Sequence, residues 1–545
     1  MNRRSLVAGV WMAVPLSLAV VLAGCGSHSE RYGLHELGVS PQQVHEIEPL
    51  QLQKAEPNTP PEPNQPPEKV ELSLAQSRAL ALENNLQLKT ALISPAIAGA
   101  QLSAEEAKFE ASFFANLNGN KINQPTIGAL GEISGSQSES LGGDFGVQMP
   151  LRTGGAVTFD ASDQWNKSNA LGLASQDYWT SNVSISISQP LLRNAGQRAT
   201  MYSIRVAAYN RDIVDTRTKL DVITVLAALD RVYWRLYAAR RELEVRQQQY
   251  GLAQQQLDRA RRLVEAGQRA QVEIIRAEAG VADQLQAIIL AENNLRDRER
   301  ELKRVVHKAG LDVQTPTIVV PTTEPDPIRY RLDPAPLVQA AVQNRMELLE
   351  LQLQLLQDAS TIDFARNQTL PLATLSYTYN IPAFGATQGD DLDMLFDHDF
   401  YGHTGRLQMV IPLGNEAAKN RLRQYVYTRR QRLATRANRE DIIRQEVLNA
   451  VDQIEANWQQ ILAARQTSIL NGRLYEAERR QFEQGLRTST DVLDAQIRFA
   501  NAQSSEIAAL ANYQISLVDV AVATGTLLGS DKVRWEPIIP ETDAE

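Results

Sequence analysis

The sequence predicts a mainly helical chain with a smaller β component, built as two copies of one unit in which long antiparallel coiled-coil hairpins are joined to runs of strand. Three observations carry this reading. Residues 264–278 return as residues 482–496: Gly267 is matched by Gly485, Glu273 by Asp491, Ile274 by Val492 and Ala277 by Ala495, all at an offset of 218. A fixed offset that holds on to Asn294 and Asn512 marks an internal duplication. Apolar residues recur every seven positions on both sides of each glycine, the period of a left-handed coiled coil. Between the helical stretches the period changes to two, as in strands with one apolar face.

At 545 residues the chain could hold three or four ordinary domains, but the duplication points to two copies of one large unit. A composition of 43% hydrophobic and 22% charged residues indicates neither disorder nor a bundle of membrane-spanning helices. The net charge of -9 gives no reason to expect a nucleic acid partner. The single cysteine, Cys25, excludes an intrachain disulfide or a cysteine metal cluster.

Residues 1–24 have Arg3 and Arg4 before an apolar run and read as an export signal. They end in Leu22-Ala23-Gly24-Cys25, which resembles the bacterial lipoprotein processing box, where the cysteine is acylated. Gly26 stands where inner membrane lipoproteins often carry Asp, so the resemblance implies the outer membrane. Residues 25–68 are polar and rich in proline (Pro57, Pro60, Pro61, Pro63, Pro66, Pro67), the composition of an extended tether.

The first repeat takes residues 69–310. It begins with an Ala- and Leu-rich helix over 72–109, broken near Pro95. Strands follow at 113–122, 145–151, 157–161 and 183–187, separated by polar loops at 123–140 and 166–176 and by a tight turn at Leu151-Arg-Thr-Gly-Gly155. A long helix then runs to Gly267, on a seam of Leu229, Leu236, Leu243, Tyr250, Leu257 and Val264. It returns on Ile274, Val281, Ile288, Leu295 and Leu302. Gly267 and Gly485 supply the left-handed backbone that ends one helix so that the next can start.

After a Pro-rich connector at 311–336, the second repeat (337–528) gives a helix to 368, strands at 374–381 and 406–413, a long helix to Gly485 and a return helix to 522. Residues 529–545 form a C-terminal tail. The long seam continues as Val447, Ile454, Ile461, Tyr475 and Phe482, with Ser468 breaking the apolar run. Strand segments that are apolar on one side and Ser/Thr/Asn on the other suit a membrane β-barrel with a wet lumen, and one chain has too few strands to close a wide pore.

These residues, above all Gly485-Leu-Arg-Thr-Ser-Thr-Asp-Val-Leu-Asp494, residues 267–277 and Gln189-Pro-Leu-Leu-Arg-Asn-Ala-Gly196, resemble the TolC family of outer membrane efflux proteins, in its lipidated OprM-like form. The resemblance spans residues 70–528. It implies a homotrimer in the cell outer membrane: a transmembrane β-barrel shared between three chains, continued by a periplasmic α-barrel with the connector at its equator. The tips would meet a periplasmic adaptor protein and, through it, an inner membrane pump. Three recurrences of a strand-end motif (Met149-Pro150-Leu151, Gln189-Pro190-Leu191, Ile411-Pro412-Leu413) predict six strands per chain and eighteen in the trimer, where the family usually has four and twelve.

The resemblance places the periplasmic gate at Asp491 and Asp494, three residues apart on one helix face, with Arg487 and Glu273 beside them. It places the adaptor contact at Gly267, Gly485, Thr488 and Thr490. No phosphate loop, nucleophile motif or metal-ligand spacing suggests an enzyme or a cofactor. His398 and His403 among Asp390, Asp391, Asp393, Asp397 and Asp399 read as a solvated acidic loop. A structural periplasmic coiled-coil lipoprotein without a pore would explain the heptads and leave the strands unexplained.

Overall fold

The computed structural model describes residues 69–127, 133–168 and 176–531. The export signal, Cys25, the tether and residues 532–545 of the tail lie outside the described residues.

The described chain opens with the short strand β1 (Lys69–Leu72), followed by α1 (Leu74–Asn84) and α2 (Leu86–Glu106). The predicted break near Pro95 falls instead at Asn85, whose extended backbone (φ -60°, ψ 122°) closes α1 and whose side chain accepts from Leu88 N–H to open α2. Pro95 is buried inside α2. It lacks an N–H for the carbonyl of Ala91, and the Thr218 hydroxyl, bonded to Val214 O at 2.9 Å in its own helix, lies 3.4 Å from that carbonyl.

Four strands come next: β2 (Ser112–Ile127), β3 (Ile133–Pro150), β4 (Ala156–Ser168) and β5 (Gln176–Pro190). A turn closed by Leu151 N–H to Gly155 O at 2.8 Å joins β3 to β4. Gly154 there has φ +95°, and a Cβ would meet Asn194 O at 2.2 Å, so no other residue fits. The long hairpin of α3 (Tyr202–Glu265) and α4 (Val272–Val306) follows.

The connector contains a second short strand, β6 (Ile318–Pro321), which pairs in parallel with β1. In the second repeat α5 (Pro334–Asn344) and α6 (Met346–Gln368) are separated by Arg345 at φ -69°, ψ 124°, where the sequence predicts one helix. Asn85 and Arg345 are therefore the same break in the two copies. Then come β7 (Leu372–Gly385), α7 (Gln388–Asp397), β8 (Gly402–Val410), α8 (Glu416–Glu483), α9 (Ser489–Ala523) and the single turn α10 (Leu527–Ser530).

The six long strands form one antiparallel sheet in the order β2-β3-β4-β5-β7-β8, so the hairpin at 145–165 is part of the wall. Residues 123–127, 133–140, 166–168 and 176, expected as loop, are strand, with pairs such as Asn123↔Gln137 and Asn166↔Tyr178, and the rest of the two expected loops, 128–132 and 169–175, lies outside the described residues. Side-chain alternation fades there because both faces have become polar, while the backbone ladder needs no apolar residue to continue. Across the strands one row reads Phe113, Val147, Phe159, Ile185, Tyr379, His403. This apolar face is the exposed one: Phe145 is 52% and Ile185 44% accessible. Ser184, Ser186 and Ser188 opposite are half-buried, which makes the polar face the concave one.

The supposed acidic loop is the helix α7, and Asp391 is completely buried in it. Thr387 caps its start through Asp390 N–H, and His398 ends it in a left-handed conformation (φ 56°). His403 accepts or donates at 2.7 Å to Tyr377 Oη and stacks among Tyr377, Tyr379 and Tyr401. Both histidines thus have structural partners.

The long helices lie side by side in one layer. Near the sheet α3 sits between α2 and α6, with α8 beyond; away from it α3 sits between α4 and α9, again with α8 beyond. At 64 and 68 residues, α3 and α8 reach roughly 100 Å. In α8 the predicted seam holds throughout, and Ser468 keeps its place in it, buried with Val447, Ile454, Ile461, Tyr475 and Phe482. In the first hairpin the seam holds away from the tip, where Leu229, Leu236, Leu295 and Leu302 are buried. Toward the tip Tyr250, Leu257 and Val264 are half-buried, and the buried positions are Gln249, Ala253, Gln256 and Ala260 on α3, and Ala277, Gly280, Gln284 and Ala291 on α4, of which Gln249 and Gly280 meet α9. α9 is long and apolar enough to cross a membrane, but Val492, Ala495, Tyr513 and Val518 are buried among its neighbours.

The two halves of the layer meet at an equatorial knot. Tyr233 Oη donates to Leu72 O at 3.1 Å and accepts from Thr323 N–H at 2.9 Å, tying α3 to β1 and to the connector just after β6. Arg78 pairs in two-pronged fashion with the buried Asp230 (2.9 and 2.7 Å) and also meets Asp531, just after α10, at 2.9 Å. Two carboxylates share one guanidinium. Burial, with Asp230 adding to it and Arg78 opposing it, pushes the Asp531 carboxyl up to about 6 from its usual 3.8. A raised folded value means that docking of α10 is most favourable with Asp531 protonated, fully so below about pH 4, and that this contribution is lost as pH rises through about 6. Asp531→Asn, neutral at every pH, should therefore raise amide-exchange protection of residues 527–531 at pH 7 by about tenfold or more over wild type, and leave it nearly unchanged at pH 4.

Candidate functional site at the hairpin tips

Both tips are built by the same local rule. Gly267 (φ +67°) and Gly485 (φ +83°) each take the left-handed residue after a long helix. Gln268 N–H reaches Leu263 O and Gly267 N–H reaches Val264 O; Leu486 N–H reaches Gln481 O and Gly485 N–H reaches Phe482 O. These paired bonds close the last turns of α3 and α8.

The restart differs between the copies. On α9, Thr488 is the N-cap: its N–H and hydroxyl donate to Asp491 Oδ2 at 2.9 and 2.8 Å. On α4 the position equivalent to Thr488 is Ala270, and the N-cap Gln271 makes no side-chain cap bond. Glu273, the counterpart of Asp491, is left without a local hydroxyl. It reaches instead to the other hairpin, where Oε2 accepts from Ser489 N–H at 2.9 Å, and it is buried there with Arg276 at 2.8 Å on its other oxygen.

A second cross-link runs beside it. Arg269 donates to Phe482 O at 3.2 Å and to Arg487 O at 2.9 Å, and its guanidinium lies 5.1 Å from the centre of the Phe482 ring. Beneath this pair Tyr475, Phe482, Val492 and Ala495 form a buried cluster against Leu252 and Leu263 of α3. Gly280 leaves the hollow that Leu493 fills, since a Cβ there would meet Leu493 Cδ2 at 2.6 Å. The two tips of one chain are consequently one packed unit.

A family model for outer membrane efflux proteins matches residues 78–306 and 337–526, both repeats with both hairpins. The chain belongs to the outer membrane efflux protein family. Its sequence is 22% identical over 338 residues to the outer membrane protein TolC of Vibrio cholerae, covering 62% of this chain and 75% of that one. Its fold is similar to that of the outer membrane channel CmeC of Campylobacter jejuni, with a TM-score of 0.61 at 16% identity over 83% of this chain and 86% of that one. The outer membrane protein VceC of Vibrio cholerae gives 0.60 at 14% identity over 83% and 96%. The family is one of transport proteins of the outer membrane, and the architecture of this member is TolC-like.

Within this efflux-family frame the residues expected at the gate take distinct positions. Asp494 is exposed on α9. Asp491, half-buried, turns one oxygen back to Thr488, and those hydrogen bonds from Thr488 hold its carboxyl below the usual range. Arg487 reaches back to α8, with Nε 3.1 Å from Gln481 Oε1 and 3.2 Å from Glu478. Glu273 is buried between the hairpins, bonded to Ser489 two residues before Asp491. Thr490 and Leu486 are exposed, Leu486 at 73%.

Arg269 escaped the sequence reading although a signal was present. It is the counterpart of Arg487 at the same offset of 218, and the structure joins these two equivalents to each other. The contact expected to be most sensitive is Glu273 to Ser489. Glu273→Ala leaves a buried N–H without an acceptor, at about 1–3 kcal/mol. Hydrogen exchange at Ser489 and the first turn of α9 should accelerate about tenfold or more, while Glu273→Gln, which keeps an acceptor for Ser489 N–H, should change it less.

Proposed function

We propose that three copies of the chain form an outer membrane export channel, lipid-anchored through Cys25, that takes substrates from an inner membrane pump through a periplasmic adaptor protein docked on the tips. The observation that carries this reading is the open sheet. β2 and β8 each present an edge with no strand partner among the described residues, and the exposed face is apolar while the concave one is polar. Free edges and an apolar outer face are a liability in water. Joining β8 of one copy to β2 of the next removes both edges and gives a closed wall of eighteen strands, three times the six in each copy, with lipid outside and a wet lumen. The four-helix layer closes in the same way into a twelve-helix tunnel, and the exposed Gly267, Gly485, Thr488 and Thr490 become the surface offered to the adaptor.

Asp491 and Asp494 of three copies would ring the narrow periplasmic end, with Arg487 and Glu273 fixing the tips that carry them. Crowded carboxylates in a confined entrance favour cations and bind multivalent ones that block it. In planar bilayers the wild-type channel should be small, cation-selective and blocked by trivalent cations. Asp491→Asn with Asp494→Asn, which keeps an acceptor for the Thr488 cap, should weaken both properties; unchanged selectivity and block would remove the pair from the gate. Native mass spectrometry in detergent should find three chains per particle, and a folded species that is only monomeric would overturn the assembly. Radiolabelled palmitate should mark the wild type and not Cys25→Ser, with the trimer kept in both; an unlabelled wild type would defeat the lipid anchor.

A further inference from the structure

Near the end of the sheet far from the long helices, the apolar face has a notch. The row Phe145, Ala161, Val183, Ile381 is apolar, and the row Leu141, Trp165, Trp179, Gly385 ends the band with two indoles. Between them lies the row Gly143, Asp163, Ser181, Ala383, small or polar at every strand.

α7 fills this notch from the apolar side. Asp391, with no accessible surface, accepts from Ser181 N–H at 3.2 Å and from the Ser181 hydroxyl. Gln388 Nε2 donates to Asp163 Oδ2 at 2.7 Å, and Ser181 Oγ lies 3.2 Å from Asp163 Oδ1. Ser181 and Ala383 are buried under the helix, 4% and 6% accessible. Gly385 permits the approach, since a Cβ would stand 2.3 Å from Asp391 N. The helix also covers the part of β7 that β8 leaves unpaired: their ladder stops at Asn380↔Gly402, and Phe384 N–H donates to Met394 Sδ at 3.4 Å.

Outward, α7 is two-sided along its length. Gln388 and Asp391 face the sheet; Leu392 and Phe396, four apart, share one flank, and Asp390, Asp393 and Asp397 share the other. Phe396 is 73% exposed. A helix with an apolar and an acidic flank, packed on β5 and β7 near a pair of tryptophans at the border of an apolar band, suits the boundary between lipid and water. Its absence would leave the Asp163 carboxylate on an apolar wall, where lipid could not satisfy it.

We propose that α7 is a membrane-interface helix clipped to the outside of the barrel. Its partner is the boundary between acyl chains and headgroups of the outer leaflet, with Leu392 and Phe396 toward the chains and Asp390, Asp393 and Asp397 toward the headgroup water. This rests on the reading above that the apolar face meets lipid, and the test separates the two. In the full-length protein reconstituted in phospholipid vesicles, nitroxide labels are placed singly by Ile185→Cys in the apolar band, Phe396→Cys and Asp393→Cys, with the unsubstituted protein as control for Cys25. Power saturation with oxygen and with a water-soluble nickel chelate reads the surroundings. The labels at 185 and 396 should both favour oxygen several-fold more than the label at 393 does. If 185 reports lipid while 396 is open to nickel, the helix lies in water and the proposal fails with the barrel intact. If 396 is shielded from both reagents, another protein surface, such as a second copy of the chain, covers it, and the proposal again fails. If 185 itself is open to nickel, the barrel reading and the proposal fall together.

Discussion

Each of the inner long helices lies between two others in a single layer, and so has to bury two flanks rather than one stripe. A helix in a bundle can turn one broad apolar face to a shared core. Among the described residues the long helices form one layer, and stability comes from seams running the length of each neighbouring pair. Small residues at the seams, such as Ala253, Ala260, Ala277, Gly280 and Ala291, let the helices of the first hairpin approach closely on both sides. Buried glutamines such as Gln249, Gln284 and Gln496 accompany them, and Gln496 donates to Gln249 O at 2.7 Å across the seam.

The same constraint explains why the layer changes partners at its equator. α3 and α8 run through unbroken, while α1–α2 and α5–α6 stop near the level where α4 and α9 take over. The ends of the shorter helices need caps, and the single-residue breaks supply anchors. Asn85 donates to Val305 O at 2.7 Å at the end of α4, and Arg345 donates to Ala523 O at 3.3 Å at the end of α9. Each break thus caps the carboxyl end of its own repeat's return helix. Tyr233 and the Arg78 cluster lock the crossing.

Duplication sets the shape of the tips, and divergence gives them their coupling. Thr488 lets Asp491 cap its own helix; Ala270 denies Glu273 that option and frees it for Ser489. Arg269 and Arg487, equivalent by descent, end up with one donating to the carbonyl of the other. The tips of one chain are therefore joined by an ion-assisted bond on each side of a buried aromatic, Phe482. Motion of one hairpin against the other has to break charge-assisted contacts as well as apolar ones.

By itself the sequence determined the duplication, the two glycine-ended hairpins, the six strands with their apolar face, and the seam of α8, because each of these is a period or an offset written along one strand or helix. Tertiary structure decided what depends on neighbours. It set which positions are buried toward the first tip, where Gln249 and Gly280 meet α9 and Tyr250 and Ile274 of the heptad stay half-buried. It carried α2 through Pro95, which is buried inside it, extended the strands beyond their alternation, and folded Asp390 to Asp397 into a helix whose Asp391 has its partner far along the chain at Ser181. At the tips, spacing placed Asp491 and Asp494 on one helix. Only the meeting of two hairpins turned Glu273 inward and brought Arg269 to Arg487, since a side chain that lacks a local partner takes whichever buried donor or acceptor the fold brings within reach.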